Sequence, residues 1–421
     1  MNAKPFEEIE SEVRAYCRTW PTVFERAGGS YVYDEAGRPF LDFFTGVATL
    51  SYGHHHPVLK QALIRYVQDE GIMHSVDSYT VAKREFLERF RHRVLAPRRL
   101  DYKVMFPGPT GTNAVEAALK LARKVTGRPT VARFTNAFHG LTLGALALTG
   151  NGFKRQAAGV PLGHTVTLPF DGYLADAGVG FTWFRRLLED GGSGVDTPAA
   201  VIVECVQGEG GMNPAGPEWL AELAALCREH GMLLIVDDVM MGCGRTGPFF
   251  SFEPAGITPD VVCLSKALSG YGLPLAVVLL RPELDVWQPG EHSGTFRGNN
   301  AAFVTAAAAL DHFWADDALE KQTYANSEEL VDGLGRIAAE HSALGAGVRG
   351  AGLALGLYLQ PEGLALEVCR AAFDRGLLVE LCGPRRQVVM VLPPLTASGD
   401  ELSTGLEILS ESVRRAGSRR S

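Results

Sequence analysis

Long uncharged apolar runs are missing from this sequence. No segment reaches the roughly 18 apolar residues that a membrane-crossing helix requires, so no membrane partner is expected. The first residues, MNAKPFEEIESEVRAYC, carry acids where a secretory leader carries a basic stretch and then an apolar one, so the chain is expected to act in the cytoplasm. Paired cysteines are missing too. The seven present are scattered and none forms C-x-x-C, which argues against a disulfide framework or a structural zinc and for reduced thiols. Positive charge is in deficit: 40 Lys and Arg against 48 Asp and Glu give a net charge of −8, which disfavours nucleic acid as a partner. No G-x-G-x-x-G opens a helix after a first strand, and no G-x-x-x-x-G-K-S/T occurs, so the commonest loops for dinucleotides and nucleoside triphosphates are absent.

What is present is an ordinary globular composition. With 46% hydrophobic and 21% charged residues among 421, the chain can bury a large core and divide into two domains. Residues 5–20 have a helical pattern, and GSYVYDEAGRPFLDFFTG reads as two strands around a turn at 34–37. Helical patterns follow over 58–68, 81–90 and 114–124. The short apolar stretches YKVMF, TVARF, AAVIVE, GMLLIVDD and DVVCLS alternate with helical or turn segments. Strands buried on both faces predict a mostly parallel sheet covered by helices, an α/β unit. From about residue 301 a long helical region leads into GLALGLYL, a further helix and QVVMVLPPL, which predicts a second, smaller α+β unit.

In VVCLSKALSGYGLPLAVVLL a single lysine, Lys266, separates an apolar run from a glycine-rich turn. Alone, it reads as a strand-end lysine with its stem along apolar surface and its head in water. Three further stretches alter that reading. In FPGPTGTNAVEAALKLARKVTG a turn enters a helix, with Asn113 as the expected N-cap and Glu116 as its capping partner. The amides of Gly111 and Thr112, with the Thr112 hydroxyl, then suit a phosphate. GMLLIVDDVMMGCGRTG ends an apolar strand in Asp237 and Asp238, at the strand end where open α/β sheets bind ligands. The spacing from Asp237 to Lys266 fits a crossover between two strand ends, so both face one crevice. NAFHGLTLGALALTG places Phe138 and His139 after a strand and before a glycine, where an aromatic ring can stand free of the core.

Each piece also has a plain reading: a capped helix, a turn-capping aspartate, a core phenylalanine. Together, a lysine amine, a phosphate cradle, a strand-end carboxylate and a planar ring are what is needed to hold pyridoxal phosphate. Lys266 would be the covalent anchor, with its pKa lowered by desolvation and by the cofactor's charge. Asp237 would keep the pyridine nitrogen protonated, and Phe138 would stack on the ring. His139 reads as a packed cofactor neighbour, and Met240 and Met241 as apolar lining. GEHSGTFRGNN is a glycine-laced loop offering Thr295 and Arg297 as donors, and Arg245 reads equally as a cap or a substrate contact. The run His54 to His56 is not read as a metal site, because consecutive side chains at a turn cannot all face one ion.

At these residues the sequence resembles the class III, or ornithine and ω-amino-acid, aminotransferases of the fold type I pyridoxal phosphate enzymes. The likeness runs from GSYVYDEAGRPFLDFFTG to LPPLT at 392–396. PTGTNAVEAALKLARKVTGR, DDVMMGCGRTGPFFSFE, LSKALSGYGLPLAVVLLRPELDVW and GEHSGTFRGNN look most like the diaminobutyrate:2-oxoglutarate aminotransferases of ectoine biosynthesis. The resemblance implies an N-terminal segment over 1–55 joining the small domain, a large cofactor-binding domain over 56–310 and a small domain over 311–421. It implies Lys266 as anchor and proton shuttle, Asp237 as the ring-nitrogen partner, Gly111 and Thr112 as the phosphate loop and Phe138 as the stacking ring. Thr295 is implied as a phosphate contact given across a dimer interface, hence a homodimer or a higher homo-oligomer. Glu209, in VECVQGEGGMNP, corresponds to an acid near the substrate, and Arg297 is the expected carboxylate receptor.

Three positions depart from the family pattern. Met240 stands where a glutamine is usual, Leu141 where some relatives carry arginine, and Met390 where a basic residue is common. Glu209 is therefore expected to lack a C-terminal basic partner, unless Arg385 or Arg386 substitutes, and to be free to receive a distal ammonium. The expected reaction takes a diamino acid donor and a 2-oxo acid acceptor: L-2,4-diaminobutyrate plus 2-oxoglutarate interconverting with L-aspartate 4-semialdehyde plus L-glutamate. The alternative is a class III transaminase or lyase acting on another amine or amino acid of a specialised pathway.

Overall fold

The computed structural model describes residues 4–174 and 180–418. The chain opens with an antiparallel meander, β1 (Phe24–Gly28), β2 (Tyr31–Asp34) and β3 (Pro39–Asp42). Asp34 sets the expected turn between the last two, because its Oδ1 accepts the N–H groups of Ala36 and Arg38 at 3.0 and 2.9 Å. Next come β4 (Lys103–Met105), β5 (Val131–Phe134), β6 (Thr165–Leu168) and β7 (Ala200–Val203), a small hairpin of β8 (Val206–Gln207) and β9 (Asn213–Pro214), then β10 (Leu233–Asp237), β11 (Val261–Leu264) and β12 (Val277–Leu280).

Seven of these form the central sheet, in the order β4-β12-β11-β10-β7-β5-β6. From β11 to β6 every pairing is parallel, whereas β12 runs antiparallel to both of its neighbours. Strands β5, β7, β10, β11 and β12 are buried along their whole length, as their largely apolar sequences predict, with Arg133 of β5 and Asp237 of β10 the charged exceptions. The helix Gly111–Thr126 turns Ala114, Ala117, Ala118 and Leu121 inward at helical spacing, and these small side chains let it lie close on the sheet.

The C-terminal unit is the antiparallel sheet of β13 (Gly347–Ala351), β14 (Ala354–Tyr358), β16 (Glu380–Cys382) and β17 (Val388–Val391), in the order β13-β14-β17-β16. β15 (Leu377–Leu378) instead pairs in parallel with β3, tying the N-terminal meander to this unit. The protein thus has an α/β core with a mostly parallel sheet and a smaller α+β unit. Among the described residues no helix is long and apolar enough to cross a membrane.

Two helical expectations differ from the structure. Over 5–20 only Lys4–Glu8 is α-helical, followed by a 3-10 turn at Tyr16–Arg18. The stretch between has no buried face, and the carbonyls of Ser11 and Arg14 are taken by the Arg14 and Arg18 side chains. The long helical region after 301 splits into Asn300–Phe313 and Ala318–Glu340. At the break Trp314 turns inward to donate from Nε1 to the Tyr52 hydroxyl at 2.9 Å, and Asp316 Oδ1 accepts the Ala318 N–H at 2.9 Å.

Arg245 is a structural tie, which excludes it as a substrate contact. It is wholly buried and donates to the Leu353 carbonyl at 3.1 Å, the Pro393 carbonyl at 2.5 Å and Ser51 Oγ at 2.8 Å, joining three distant segments. Burial pushes its pKa down to about 9.

Candidate active site

Because β4, β5, β7, β10 and β11 point the same way, the segments leaving their carboxyl ends meet around one cavity of about 410 Å³. After β11, Ser265 Oγ donates to the Leu275 carbonyl at 2.8 Å, and the chain turns at Lys266, where φ is 48°. A non-glycine residue held there costs on the order of 1–3 kcal/mol, and such strain gathers at functional sites. Lys266 lines the cavity. Burial lowers its pKa, and Glu209, Asp237 and Glu204, in that order of effect, pull it part of the way back up.

The two consecutive acids at the end of β10 have separate fates. Asp237 lines the cavity, its Oδ2 lies 2.7 Å from His139 Nδ1, and its Oδ1 accepts the Val239 N–H at 3.2 Å. Asp238 turns into the core, where Oδ1 accepts from Ser251 Oγ at 2.5 Å and Oδ2 from the Ser251 N–H at 3.1 Å. Burial pushes the Asp238 pKa up to about 7 from the usual 3.8. A raised carboxyl favours the folded state fully below pH 4 and loses that contribution as pH rises through its folded value, a change on the order of 4 kcal/mol for this group. Asp238→Asn is therefore expected to flatten stability between pH 4 and 7, as measured by urea unfolding at stepped pH. Parallel curves for the two proteins would contradict this.

Phe138 lines the cavity, as does His139. The Phe138 N–H donates to Glu204 Oε2 at 2.9 Å, while Lys154 Nζ lies 4.3 Å from the centre of its ring. The phosphate-loop candidates also reach the cavity, but the cap differs from expectation. The helix begins at Gly111 after Thr110, and Asn113 is the capping partner: its Oδ1 accepts from Thr110 N at 3.2 Å and from Thr110 Oγ1 at 2.8 Å. Glu116 is drawn away to hold the next segment, accepting from Thr142 Oγ1 at 2.5 Å and Ala145 N at 3.1 Å. Thr142 in turn meets Thr112, their hydroxyls 2.7 Å apart. Gly140, at φ 124°, closes this corner, and a Cβ there would lie 2.4 Å from Thr112 Oγ1.

Met240 lines the cavity with a thioether that donates nothing. Glu209 also lines it, and it is not free as expected: Lys154, far from the C-terminal unit in sequence, places Nζ 3.1 Å from its Oε2. Met390 is in the buried core on β17. Arg386 faces Glu380 at 3.9 Å, and neither it nor Arg385 substitutes at Glu209. Leu141 is exposed and outside the lining. Thr295 and Arg297 are also absent from this chain's cavity lining; Thr295 is exposed, with its carbonyl accepting from His74 Nε2 at 2.6 Å. The three consecutive histidines take three different partners: His54 pairs with Asp42 at 2.7 Å, His55 with the Tyr271 hydroxyl at 2.6 Å, and His56 packs on Phe313.

Sequence reasoning missed two charged members of the site. Glu204 directly follows β7, and burial, with Asp237 next in effect, pushes its pKa well above the usual carboxylate range. The strand-end rule applied to Asp237 would have found it. Lys154 sits on the short helix Gly152–Gln156 and carries no comparable signal.

These groups fit pyridoxal phosphate. The helix start at Gly111 and Thr112 offers amides for a phosphate, Phe138 offers a ring face, Asp237 a carboxylate for a ring cation, and Lys266 an amine. His139 Nε2 is buried without a protein partner, and Gly140 allows the close approach of its segment to Thr112.

The Aminotransferase class-III family matches residues 14–413. A diaminobutyrate–2-oxoglutarate transaminase of Streptomyces avermitilis is 58% identical over 410 residues, covering 97% of each chain. One from Nocardia farcinica is 60% identical over 408 residues, covering 97% of this chain and 93% of its own. Among solved structures, an ornithine aminotransferase from Toxoplasma gondii with partial occupancy of pyridoxal phosphate at its active site is similar at a TM-score of 0.84 and 25% identity, covering 99% of this chain and 94% of that one.

Proposed function

The chain belongs to the class-III aminotransferases, and from that premise we propose that it moves the distal amino group of L-2,4-diaminobutyrate to 2-oxoglutarate, interconverting this pair with L-aspartate 4-semialdehyde and L-glutamate. It is a pyridoxal-phosphate-dependent aminotransferase. The donor assignment is supported by near full-length identity of 51–60% to relatives named for that reaction. The observation that carries the reading is Lys266, a strained strand-end lysine in a cavity walled by Asp237, Glu204 and Glu209.

When bound, pyridoxal phosphate supplies an electron sink for the carbon that bears the amine. Lys266 would anchor it and, with its ammonium form disfavoured by burial, would take and return the proton at that carbon. Asp237, oriented by His139, would hold the positive ring nitrogen, while Phe138 would hold the ring plane. The Gly111 and Thr112 amides would fix the phosphate end, which would restrict the orientation in which the substrate is presented to Lys266. Val206, Met240, Met241 and Leu275 line the cavity with apolar surface and limit water.

The test is a donor panel with 2-oxoglutarate as acceptor, reading glutamate formed. L-2,4-Diaminobutyrate is expected to exceed L-ornithine, L-lysine and 4-aminobutyrate in kcat/KM by at least about tenfold. A higher kcat/KM for any of these three would overturn the donor assignment.

We also propose the division into 1–55, 56–310 and 311–421. The β3–β15 pairing supports the first part, although the helix Asn300–Phe313 crosses the second boundary. The unpaired cysteines fit a reducing compartment, which we take as the cytoplasm. A homodimer, with Thr295 and Arg297 of one chain serving the neighbour's site, is supported by the exposed apolar side chains Ile72, Met73, Val76, Tyr79 and Phe296. The His74–Asn299 bridge draws their two segments together. Phe296→Asp is expected to shift the sedimenting species from dimer towards monomer and to lower activity with it. An active monomer of the unaltered chain at assay concentration would overturn the dimer.

A further inference from the structure

Lys154 lies outside the cavity lining but directly behind two residues that form it, Glu209 and Phe138, and has no role in the chemistry described so far. Its backbone is pinned: the Lys154 N–H donates to Asn151 Oδ1 at 3.1 Å, and Arg155 donates to the carbonyls of Ala147 and Thr149 at 3.2 and 3.0 Å. Its side chain is less confined. Nζ rests 3.1 Å from Glu209 Oε2 and 4.3 Å from the Phe138 ring centre, and the two paired side chains are 30% and 23% exposed. An ion pair with that much access to water opens at little cost. An ammonium also has three N–H donors, so it can serve Glu209 and a second anion together.

The substrates of the proposed reaction share one feature. In diaminobutyrate the carboxylate carbon lies three bonds from the carbon carrying the distal amine. In 2-oxoglutarate the distal carboxylate carbon also lies three bonds from the keto carbon. Diaminobutyrate alone has an ammonium on the carbon next to that carboxylate, so its far end is a zwitterion. Lys154 and Glu209, side by side beside the stacking ring, present the complementary pair of charges. We propose that Lys154 is the receptor for this shared distal carboxylate in both half-reactions, with Glu209 taking the neighbouring ammonium of the donor. The inference rests on the diaminobutyrate reading for its donor half only.

Lys154→Met is expected to raise KM for diaminobutyrate, 4-aminobutyrate and 2-oxoglutarate alike, by roughly 10- to 100-fold, because each loses the same charge-assisted contact. Lys154→Arg is expected to recover most of that loss. Glu209→Gln is expected to raise KM for diaminobutyrate more than for 4-aminobutyrate, which has the carboxylate without the ammonium. The same receptor can be read without turnover: glutarate has the acceptor's skeleton without its keto oxygen, and its Kd by calorimetry should rise in Lys154→Met and recover in Lys154→Arg. If KM for 2-oxoglutarate and Kd for glutarate stay within about twofold in Lys154→Met, the inference fails. It also fails if the loss tracks a matching loss of cofactor affinity, since Lys154 would then only brace Phe138. Should the unaltered enzyme refuse diaminobutyrate, the donor reading falls, and the acceptor and glutarate measurements still decide the role of Lys154.

Discussion

Lys266→Ala is expected to reduce turnover by roughly 10²- to 10⁴-fold, the scale on which a positioned proton-transferring group acts. The same substitution removes the amine that anchors the cofactor, so borohydride treatment should add the cofactor's mass to the unaltered chain and not to the variant. Stability should hold. Burial disfavours the Lys266 ammonium, so its removal relieves a desolvation cost, while the left-handed backbone at φ 48° remains as strained for alanine as for lysine. Lys266→Arg is expected to be equally inactive, since a guanidinium stays charged and cannot accept the proton. Turnover within tenfold of the unaltered enzyme in either variant would remove Lys266 from the chemistry.

Most of the cavity was legible because strand-end chemistry is local. The VVCLS, LLIVD and TVARF runs are dominated by apolar residues, so both their burial and the point where each stops can be read, and Lys266, Asp237 and Phe138 stand at or just beyond those stops. The direction of β12 was not legible: a strand buried on both faces carries no alternation, and VVLL would serve equally well either way round. The N-cap was misassigned by one turn. Asparagine suits either end of a capping box, and the choice of Thr110 over Asn113 depends on Glu116 being claimed by Thr142 and Ala145 from another segment.

Charge partners were the least legible. Met390 implied a missing cation for Glu209, and nothing near it in sequence supplied one. Lys154 stands 55 positions before Glu209, on a short helix held in place by Asn151 and Arg155. Arg245 shows the opposite failure. An arginine in a glycine-rich turn beside the site looks available to a substrate, but its three acceptors come from segments near 51, 353 and 393, which only the folded chain brings together.

Of the two consecutive acids, Asp237 should dominate catalysis. Asp237→Asn keeps nearly the same shape and can still reach His139, yet it removes the carboxylate proposed to face the ring nitrogen. The expected loss in kcat is roughly 10²- to 10³-fold, the range seen when one group that stabilises developing charge is deleted. A second readout separates this role from simple misfolding. Asp237 raises the pKa of Lys266, so its neutralisation should lower that pKa further. The pH profile for the reaction of cofactor-free protein with pyridoxal phosphate, which needs the neutral amine, should therefore move to lower pH in Asp237→Asn. Asp238→Asn is the control, because its carboxyl is occupied by Ser251 on the far side of the strand and should leave both kcat and that profile in place. A kcat for Asp237→Asn within tenfold of the unaltered enzyme, or a profile moving upward, would mean that the strand-end carboxylate does not hold the ring cation.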